Sequence, residues 1–136
     1  MFLLDTNVIS ELRRLHRAQH EVVRWASSLE PTQLHISVIS VLEIEIGALR
    51  LARKDGVAGV SLRTWIDTQV LPSFADRILP VDTTIAMRCA ALHVPDPRPE
   101  RDALIAATAL VHGMILVTPN TADFQRMGLK LLNPWQ

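Results

Sequence analysis

Four acidic residues stand where separate segments of this chain begin or end. Asp5 closes the apolar run MFLL, and Asp123 follows the apolar run ILV after a short polar turn. Asp102 comes after a proline-rich segment, in PERDALIAATAL, and Glu43 lies within SVISVLEIEIG. Carboxylates from four segments that meet at ~4 Å repel one another by about 1–4 kcal/mol per pair. A site built from them is tolerated only if a cation binds there.

The chemistry of such a site follows from its ligand atoms. Oxygen ligands without a cysteine or a pair of histidines favour Mg2+ or Mn2+ over zinc. These ions activate a water molecule and stabilise the charge that develops during in-line displacement at a phosphodiester. Asp5, Glu43, Asp102 and Asp123 are therefore the candidate metal ligands and catalytic residues.

Each of these acids also has an ordinary structural interpretation. Asp5 could cap the first helix, and Asp102 could be a first-turn acid that favours the helix dipole. Glu100 is an alternative to Asp102, because it lies nearer to the preceding proline. Asp123 could be a simple turn residue.

Glu43 competes with Glu45 for one ligand position, because both lie in the same apolar helix. Gly47 comes one turn after Glu43, so Glu43 would face a point without a side chain, where a metal ion or substrate could approach. Glu45 instead has large apolar residues about one turn away on either side. On this geometry we favour Glu43.

The elements that position these acids are predicted from the hydrophobic pattern. Short apolar runs alternate with helical patterns, which indicates an α/β protein with a parallel sheet. Ligand sites in such sheets lie beyond the carboxyl ends of the strands, where these acids fall. The predicted strands are 1–4, 34–37, 78–81, 114–118 and an edge strand 129–132, and the predicted helices are 11–15, 20–29, 38–54, 60–70, 83–92 and 101–112. Thr6, Asn7 and Ser10 are expected to cap the first helix, residues 55–59 to interrupt the helical pattern, and residues 94–99 to form a loop.

Length and composition indicate one globular domain, spanning residues 1–136. The 14 basic and 14 acidic residues cancel, so no net charge points to nucleic acid. With four acids in one site, however, the remainder has an excess of four positive charges. Twelve of the basic residues are arginine, the side chain best suited to phosphate. This is compatible with a nucleic-acid partner.

The N-terminus and the cysteine content predict a cytoplasmic location. Cys89 is the single cysteine, which excludes an intramolecular disulfide. The opening MFLLDTN lacks the pattern of a signal peptide, and no apolar run approaches the roughly 18–20 residues that span a bilayer. We therefore expect no membrane partner.

Taken together, the segments resemble the PIN domain and, within it, the VapC toxins of the FitB-like branch. The resemblance rests on LLDTNVISEL at 3–12, SVISVLEIEIGALRL at 37–51, ILPVDTTIA at 78–86, RDALIAATALVHGMILVTPNTADF at 101–124 and the ending LLNPW. It implies a three-layer α/β/α fold with a central parallel sheet of four to five strands. It also implies a metal-dependent endoribonuclease, the toxin of a type II toxin–antitoxin pair, that arrests growth by cleaving RNA.

The resemblance further implies site residues and partners. The acids matching Asp5, Glu43, Asp102 and Asp123 hold Mg2+ (or Mn2+) in that family, and a polar residue matching Asn120 supports the site. Thr6, Asn7 and Thr118 are further predicted supporting residues. The implied partners are an RNA substrate, a second copy in a homodimer, and a small DNA-binding antitoxin whose C-terminal arm fills the acidic pocket. The family turn Thr-Arg-Asn here carries Pro119 in place of the arginine, which removes a possible phosphate contact.

Competing interpretations fit fewer residues. A haloacid dehalogenase-like phosphatase needs a second aspartate where Asn7 stands, and a receiver-like phosphoacceptor needs a lysine that neither Lys54 nor Lys130 supplies. A catalytically weak PIN-fold protein that binds a partner or RNA stays open. His16 and His20 have zinc-pair spacing but no third ligand, so they indicate a solvated face, and Asp82 fits a helix cap. Seven basic residues could form a rim that faces RNA: Arg13, Arg14, Arg17, Arg24, Arg50, Arg53 and Lys54.

Overall fold

The computed structural model describes residues 1–13 and 20–136. Its strands are β1 (Phe2–Leu4), β2 (Leu34–Ser37), β3 (Ile78–Leu79), β4 (Ile115–Val117) and β5 (Leu131–Leu132). Its α-helices are α1 (Thr6–Arg13), α2 (His20–Ser27), α3 (Val38–Lys54), α4 (Gly56–Trp65), α5 (Leu71–Ser73), α6 (Thr83–Leu92) and α7 (Glu100–His112). Short 3-10 segments cover Pro31–Gln33 and Thr121–Phe124, and a π-helical segment covers Ile66–Val70. The predicted helical residues Arg14 and Leu15 lie outside the described residues. The same holds for His16 and for Arg17, and for Arg14 as a member of the predicted rim.

The five strands form one sheet in the order β3-β2-β1-β4-β5, and each neighbouring pair is parallel. β1 is therefore central, with Leu3 in register with His35 of β2 and with Leu116 of β4. The predicted parallel sheet is confirmed, including the edge strand near the C-terminus. All five strands end at one side of the sheet, so the residues that follow β1 and β4 are neighbours.

Both faces of the sheet are covered by helices. Successive residues of a strand point to opposite faces, and the fully buried Leu3 and Leu4 accordingly belong to different apolar clusters. The cluster of Leu4 takes in residues of α1, α2 and α3, whereas that of Leu3 takes in Ile105 of α7. Burial of a leucine of this kind contributes roughly 1.5–3 kcal/mol. The predicted three-layer α/β/α fold is confirmed.

Capping side chains fix where several helices begin. Ser37 accepts a hydrogen bond from the backbone of Ile39 at 3.0 Å, so α3 follows β2 without a loop. Asp82 accepts one from the backbone of Ile85 at 2.9 Å, which confirms its predicted role as a cap. The first helix differs from expectation, because α1 already begins at Thr6. Thr6 and Ser10 therefore lie within the helix, and the side chain that precedes it is the Asp5 carboxylate.

The expected interruption at residues 55–59 is wrong. Only Asp55 separates the two helices, and its carboxylate accepts a hydrogen bond from the backbone of Ala58 at 3.1 Å, which starts α4 at Gly56. Gly59 acts as a contact residue, because a Cβ there would lie 2.5 Å from the Cα of Ala52. The glycine allows α3 and α4 to pack closely. The predicted helix 60–70 is thus two segments, α4 and the π-helical turn at Ile66–Val70.

No described helix has both the length and the apolar character required to cross a membrane.

Candidate active site

Asp5 follows β1 directly and is fixed between two elements. Its backbone N–H donates to the carbonyl of Val117 at 2.9 Å, which continues the pairing of β1 with β4. Its Oδ1 accepts from the backbone N–H of Thr6 at 2.8 Å, and its Oδ2 accepts from the Oγ1 of Thr118 at 2.8 Å. Only 6% of the residue is exposed. Both oxygens of a buried carboxylate are therefore oriented by neighbouring groups.

Glu43 reaches the same region from α3. The Thr6 Oγ1 donates to Glu43 Oε1 at 2.8 Å and lies 3.0 Å from the Oγ of Ser40. Thr6 thus contacts both Asp5 and Glu43, through its backbone and its hydroxyl respectively. Ser40 is fully buried and was not among the predicted site residues. Its position three residues before Glu43, on the same helix face, is the sequence signal that could have indicated it.

Glu45 points to a different neighbour. Its Oε2 pairs with Nη2 of Arg63 on α4 at 2.7 Å, with both side chains more than a third exposed. Gly47, which motivated the choice of Glu43, has no atom within 4 Å of the position where a Cβ would stand. It lines a groove together with Thr6 and Glu43. In this structure Glu43 is the glutamate of α3 that lies beside Asp5.

Asp102 and Asp123 approach from the other side. Asp102 lies in the first turn of α7 and is partly buried, and Asp123 lies in the exposed face of the segment Thr121–Phe124. Burial raises the pKa of Asp102, and the negative charges of Asp5, Asp123 and Glu43 raise it further. All three other acids are therefore close enough to repel it.

The same electrostatic field acts on Asp5. Burial raises the pKa of Asp5 above its usual value, and the charges of Glu43 and Asp123 add to that effect. The hydrogen bonds from Thr118 and Thr6 oppose it, because they stabilise the ionised form. The structure thus brings all four predicted acids into one electrostatic cluster, which we call the acid cluster: Asp5, Glu43, Asp102 and Asp123.

The donor atoms of the acid cluster are the hard oxygens that suit a divalent cation such as Mg2+. The side chains stand apart, however. Within residues 1–13 and 20–136, no three His, Cys, Asp or Glu residues are arranged so that they could hold a metal ion as they stand. The chemical type of the ligands fits such an ion, and its binding would require carboxylates to turn towards a common point.

The sequence pattern that defines the PIN domain matches residues 2–130. This chain belongs to the PIN-domain family.

Its relatives include two named toxins or ribonucleases of similar length. The chain is 33% identical to the VapC ribonuclease Y4jK of Sinorhizobium fredii, over 100% of this chain and 99% of the relative. It is 35% identical to Toxin FitB of Neisseria gonorrhoeae, over 99% of each chain. Among solved structures, the FitAcB crystal structure from Neisseria gonorrhoeae superposes with a TM-score of 0.90 at 34% identity, covering 100% of this chain and 99% of the other. A toxin-antitoxin complex from Klebsiella pneumoniae gives 0.67 at 27% identity, covering 98% of each chain.

The four predicted supporting residues of this PIN domain fall into two pairs. Thr6 and Thr118 donate hydrogen bonds to the acids, as described above. Asn120 acts through its backbone N–H, which donates to the Thr118 Oγ1 at 3.0 Å. Asn7 is exposed in the first turn of α1, and the described part of the chain shows no hydrogen bond between its side chain and the acids. The threonines are the predicted supporting residues that orient Asp5 and Glu43.

Two grooves of the PIN domain flank Glu43. One is lined by Thr6, Ser10, Arg13, Glu43, Ile44, Gly47, Leu62 and Trp65. Arg13 is a member of the predicted rim, and its guanidinium lies 5.6 Å from the centre of the Trp65 ring and donates to Ser61. The second groove is lined by Ile39, Leu42, Glu43, Pro99, Glu100, Arg101, Asp102 and Leu104. Each groove leads to the acid cluster from a different side.

Arg101 was not predicted as a site residue. Its Nη1 lies 3.8 Å from Oε2 of Glu43, and its side chain is 49% exposed. Hydrophobic periodicity gives no signal for such a residue, because it is an exposed charge in the first turn of a helix. Its position next to Asp102 in the sequence is the feature that could have indicated it.

Proposed function

We propose that this chain is an Mg2+- or Mn2+-dependent endoribonuclease that acts as the toxin of a type II toxin–antitoxin pair. The acid cluster carries the proposal: acids from four separate segments influence one another electrostatically near the carboxyl ends of β1 and β4. Membership of the PIN-domain family and the names of the relatives, a VapC ribonuclease and a FitB toxin, support this function.

In the proposed mechanism Asp5, Glu43, Asp102 and Asp123 hold the ion. When bound, the ion supplies a water-derived nucleophile and neutralises charge on the phosphate. Thr118 and Thr6 orient the buried Asp5 carboxylate, and their hydrogen bonds favour its ionised form against the effect of burial. The Thr6 hydroxyl orients Glu43 in the same way. The chain thereby orients two of the proposed ligands, Asp5 and Glu43, before an ion binds.

The proposed partners are an RNA substrate, a second copy of the chain and an antitoxin. A solved structure that this chain resembles at 27% identity is a toxin-antitoxin complex, which supports an antitoxin partner. The acid cluster has the charge to accept an arginine from an antitoxin arm, because a guanidinium forms paired hydrogen bonds with carboxylates. The proposed location is the cytoplasm, where such an RNA substrate and partner are present.

The first test is expression in bacteria without an antitoxin. The wild type should arrest growth, and sequencing should show new RNA ends on induction. Asp5→Asn should relieve the arrest, because a neutral amide replaces a ligand, and should reduce kcat/KM by roughly 100-fold or more, which is about 2.7 kcal/mol. Asp82→Asn is the matched control, because asparagine caps a helix as well as aspartate does. Equal toxicity of Asp5→Asn and the parent would contradict the role of Asp5.

A second candidate function is binding without efficient catalysis. The arrangement of the side chains favours it, because no three His, Cys, Asp or Glu residues in the described part of the chain are placed to hold a metal ion. Purified protein incubated with mixed RNA separates the two candidates. Cleavage that requires Mn2+ and stops with EDTA supports the ribonuclease, whereas intact RNA under saturating Mn2+ supports the binding protein.

A further inference from the structure

Arg101 faces the one oxygen of Glu43 that the threonine network leaves open. Oε1 of Glu43 accepts from Thr6 at 2.8 Å, and Oε2 lies 3.8 Å from Nη1 of Arg101. The second distance exceeds that of a direct hydrogen bond, so the two charges form a loose pair. The Arg101 side chain is 49% exposed and that of Glu43 is 26% exposed. The guanidinium therefore lies on the solvent side of the carboxylate.

This pair is distinctive in its surroundings. In the part of the chain that the structure describes, it is the single ion pair recorded for a member of the acid cluster. Arg101 also lines the groove that contains Asp102 and Pro99 and leads to the cluster. A cation at this point lies where a negatively charged substrate would enter the cluster.

We propose that Arg101 is a phosphate-positioning residue that alternates between Glu43 and RNA. In the metal-free protein its guanidinium offsets the charge of Glu43. Once Glu43 serves as a metal ligand, its charge is neutralised and Arg101 is free to bind a phosphate of RNA in the groove. Arginine suits this role, because its planar fork binds phosphate through two hydrogen bonds and an exposed ion pair is readily exchanged. The inference rests on the proposed ribonuclease function and names how the same site holds its substrate.

The first measurement is RNA cleavage at saturating Mn2+ with a single-stranded oligonucleotide over a range of KCl concentrations. For Arg101→Gln, KM should rise about tenfold while kcat stays within about twofold, because the residue holds substrate and does not react. The slope of log(kcat/KM) against log[KCl] should become shallower by ~0.7, the value for one phosphate contact on a single strand. Arg101→Lys should keep the salt slope and recover part of the KM. Arg88→Gln, which removes an exposed arginine of α6, is the control and should match the wild type.

The second measurement is calorimetric titration of the RNA-free protein with Mn2+. Arg101→Gln should bind Mn2+ several-fold more tightly than the wild type, because Arg101 no longer competes for Glu43. Arg88→Gln should show the wild-type affinity. Two results for Arg101→Gln would overturn the inference. One is a fall in kcat with unchanged KM, since Arg101 would then act on Glu43 alone. The other is an unchanged affinity for Mn2+. A wild type that binds Mn2+ but cleaves no RNA would contradict the proposed function itself, and the role in RNA positioning with it.

Discussion

The two halves of the acid cluster are built differently. Asp5 and Glu43 each accept a hydrogen bond from a threonine, and Asp5 is almost completely buried. For Asp102 and Asp123 the described residues provide no side-chain hydrogen bond, and Asp123 is exposed. Hydrogen bonds therefore orient the first half, Asp5 and Glu43, which we call the preset half.

The difference affects how burial acts on the pKa values of the two aspartates. Burial raises the pKa of both Asp5 and Asp102, but only Asp5 has hydrogen bonds that oppose the effect. A partly buried acid without such bonds reduces repulsion by pointing away from the others or by taking up a proton. Hydrogen bonds therefore offset the effect of burial at Asp5 and not at Asp102.

Exchange of the two glutamates of α3 for glutamine should have the largest effect. Glu43→Gln should lower kcat/KM roughly 100-fold or more, because it removes a charge from the preset half, whereas Glu45→Gln should stay within about threefold. Glu45 only loses an exposed pair with Arg63, which contributes about 0–1 kcal/mol to stability. Cleavage rates with Mn2+ measure both, and reversed effects would transfer the ligand role to Glu45.

Removal of the Thr118 hydroxyl should have an intermediate effect that depends on pH. In Thr118→Val the pKa of Asp5 rises further, because burial is no longer opposed by this hydrogen bond. Protons then compete with the metal at higher pH, so the acid limb of the kcat/KM profile should move to higher pH. Loss of such an orienting partner typically costs about 10–100-fold in activity or metal affinity.

Thr118→Ser keeps the hydroxyl and should restore the wild-type profile. A uniform loss of activity at all pH values in Thr118→Val would show that the residue supports the fold and leaves the ionisation of Asp5 unchanged. Among the hydrogen bonds to Asp5, the one from the Thr6 backbone N–H would then be the one that affects its ionisation.

Asp102→Asn should give the smallest effect of these substitutions. Its effect should be a gain in the stability of the folded protein. In EDTA the variant should be more stable by roughly 0.5–1 kcal/mol, because it relieves repulsion at a partly screened site. In the folded protein the pKa of Asp102 is raised above its usual value. The folded state therefore binds the Asp102 proton more tightly than the unfolded state does. The free energy of unfolding falls as pH rises through this range, because the proton is lost. The gain should therefore be present at neutral pH and absent below about pH 4.

Thermal melts with EDTA and with excess Mn2+ measure this prediction. The wild type should gain stability from Mn2+ by mass action, and Asp102→Asn much less. Asp82→Asn again serves as the control, because it changes a capping aspartate outside the cluster. If Asp102→Asn melts lower in EDTA and keeps the full Mn2+ shift, Asp102 is only a helix-start acid.

The sequence predicted those parts of the fold that depend on local signals. The bounds of α3 and α6 agree with the prediction, because Ser37 and Asp82 are caps directly before apolar helices. The placement of acids after β1 and β4 followed from the rule for parallel sheets. The predicted interruption at residues 55–59 was wrong in part because of Gly59. A glycine often indicates a break in a helix, but here it allows a close contact with Ala52.

The two ion pairs that α3 forms with other helices could not be predicted in this way. Arg63 with Glu45 and Arg101 with Glu43 join residues of different helices, and their pairing depends on how α3 packs against α4 and α7. The second role of Thr6, as donor to Glu43, likewise requires α1 and α3 to be adjacent. Such contacts are properties of tertiary packing, and no periodicity in the sequence records them.

The central position of β1 has a consequence for the time course of synthesis. The first strand to leave the ribosome needs β4 as its neighbour, and the hydroxyl that orients Asp5 is 113 residues further along the chain. At ~5–20 residues per second, translation of that interval takes roughly 6–23 s. For most of this interval the nascent chain carries Asp5 without Asp102, and Thr118 and Asp123 are synthesised only at its end or after it. A ribosome making this protein is thus not exposed to an assembled acid cluster until the chain is nearly complete.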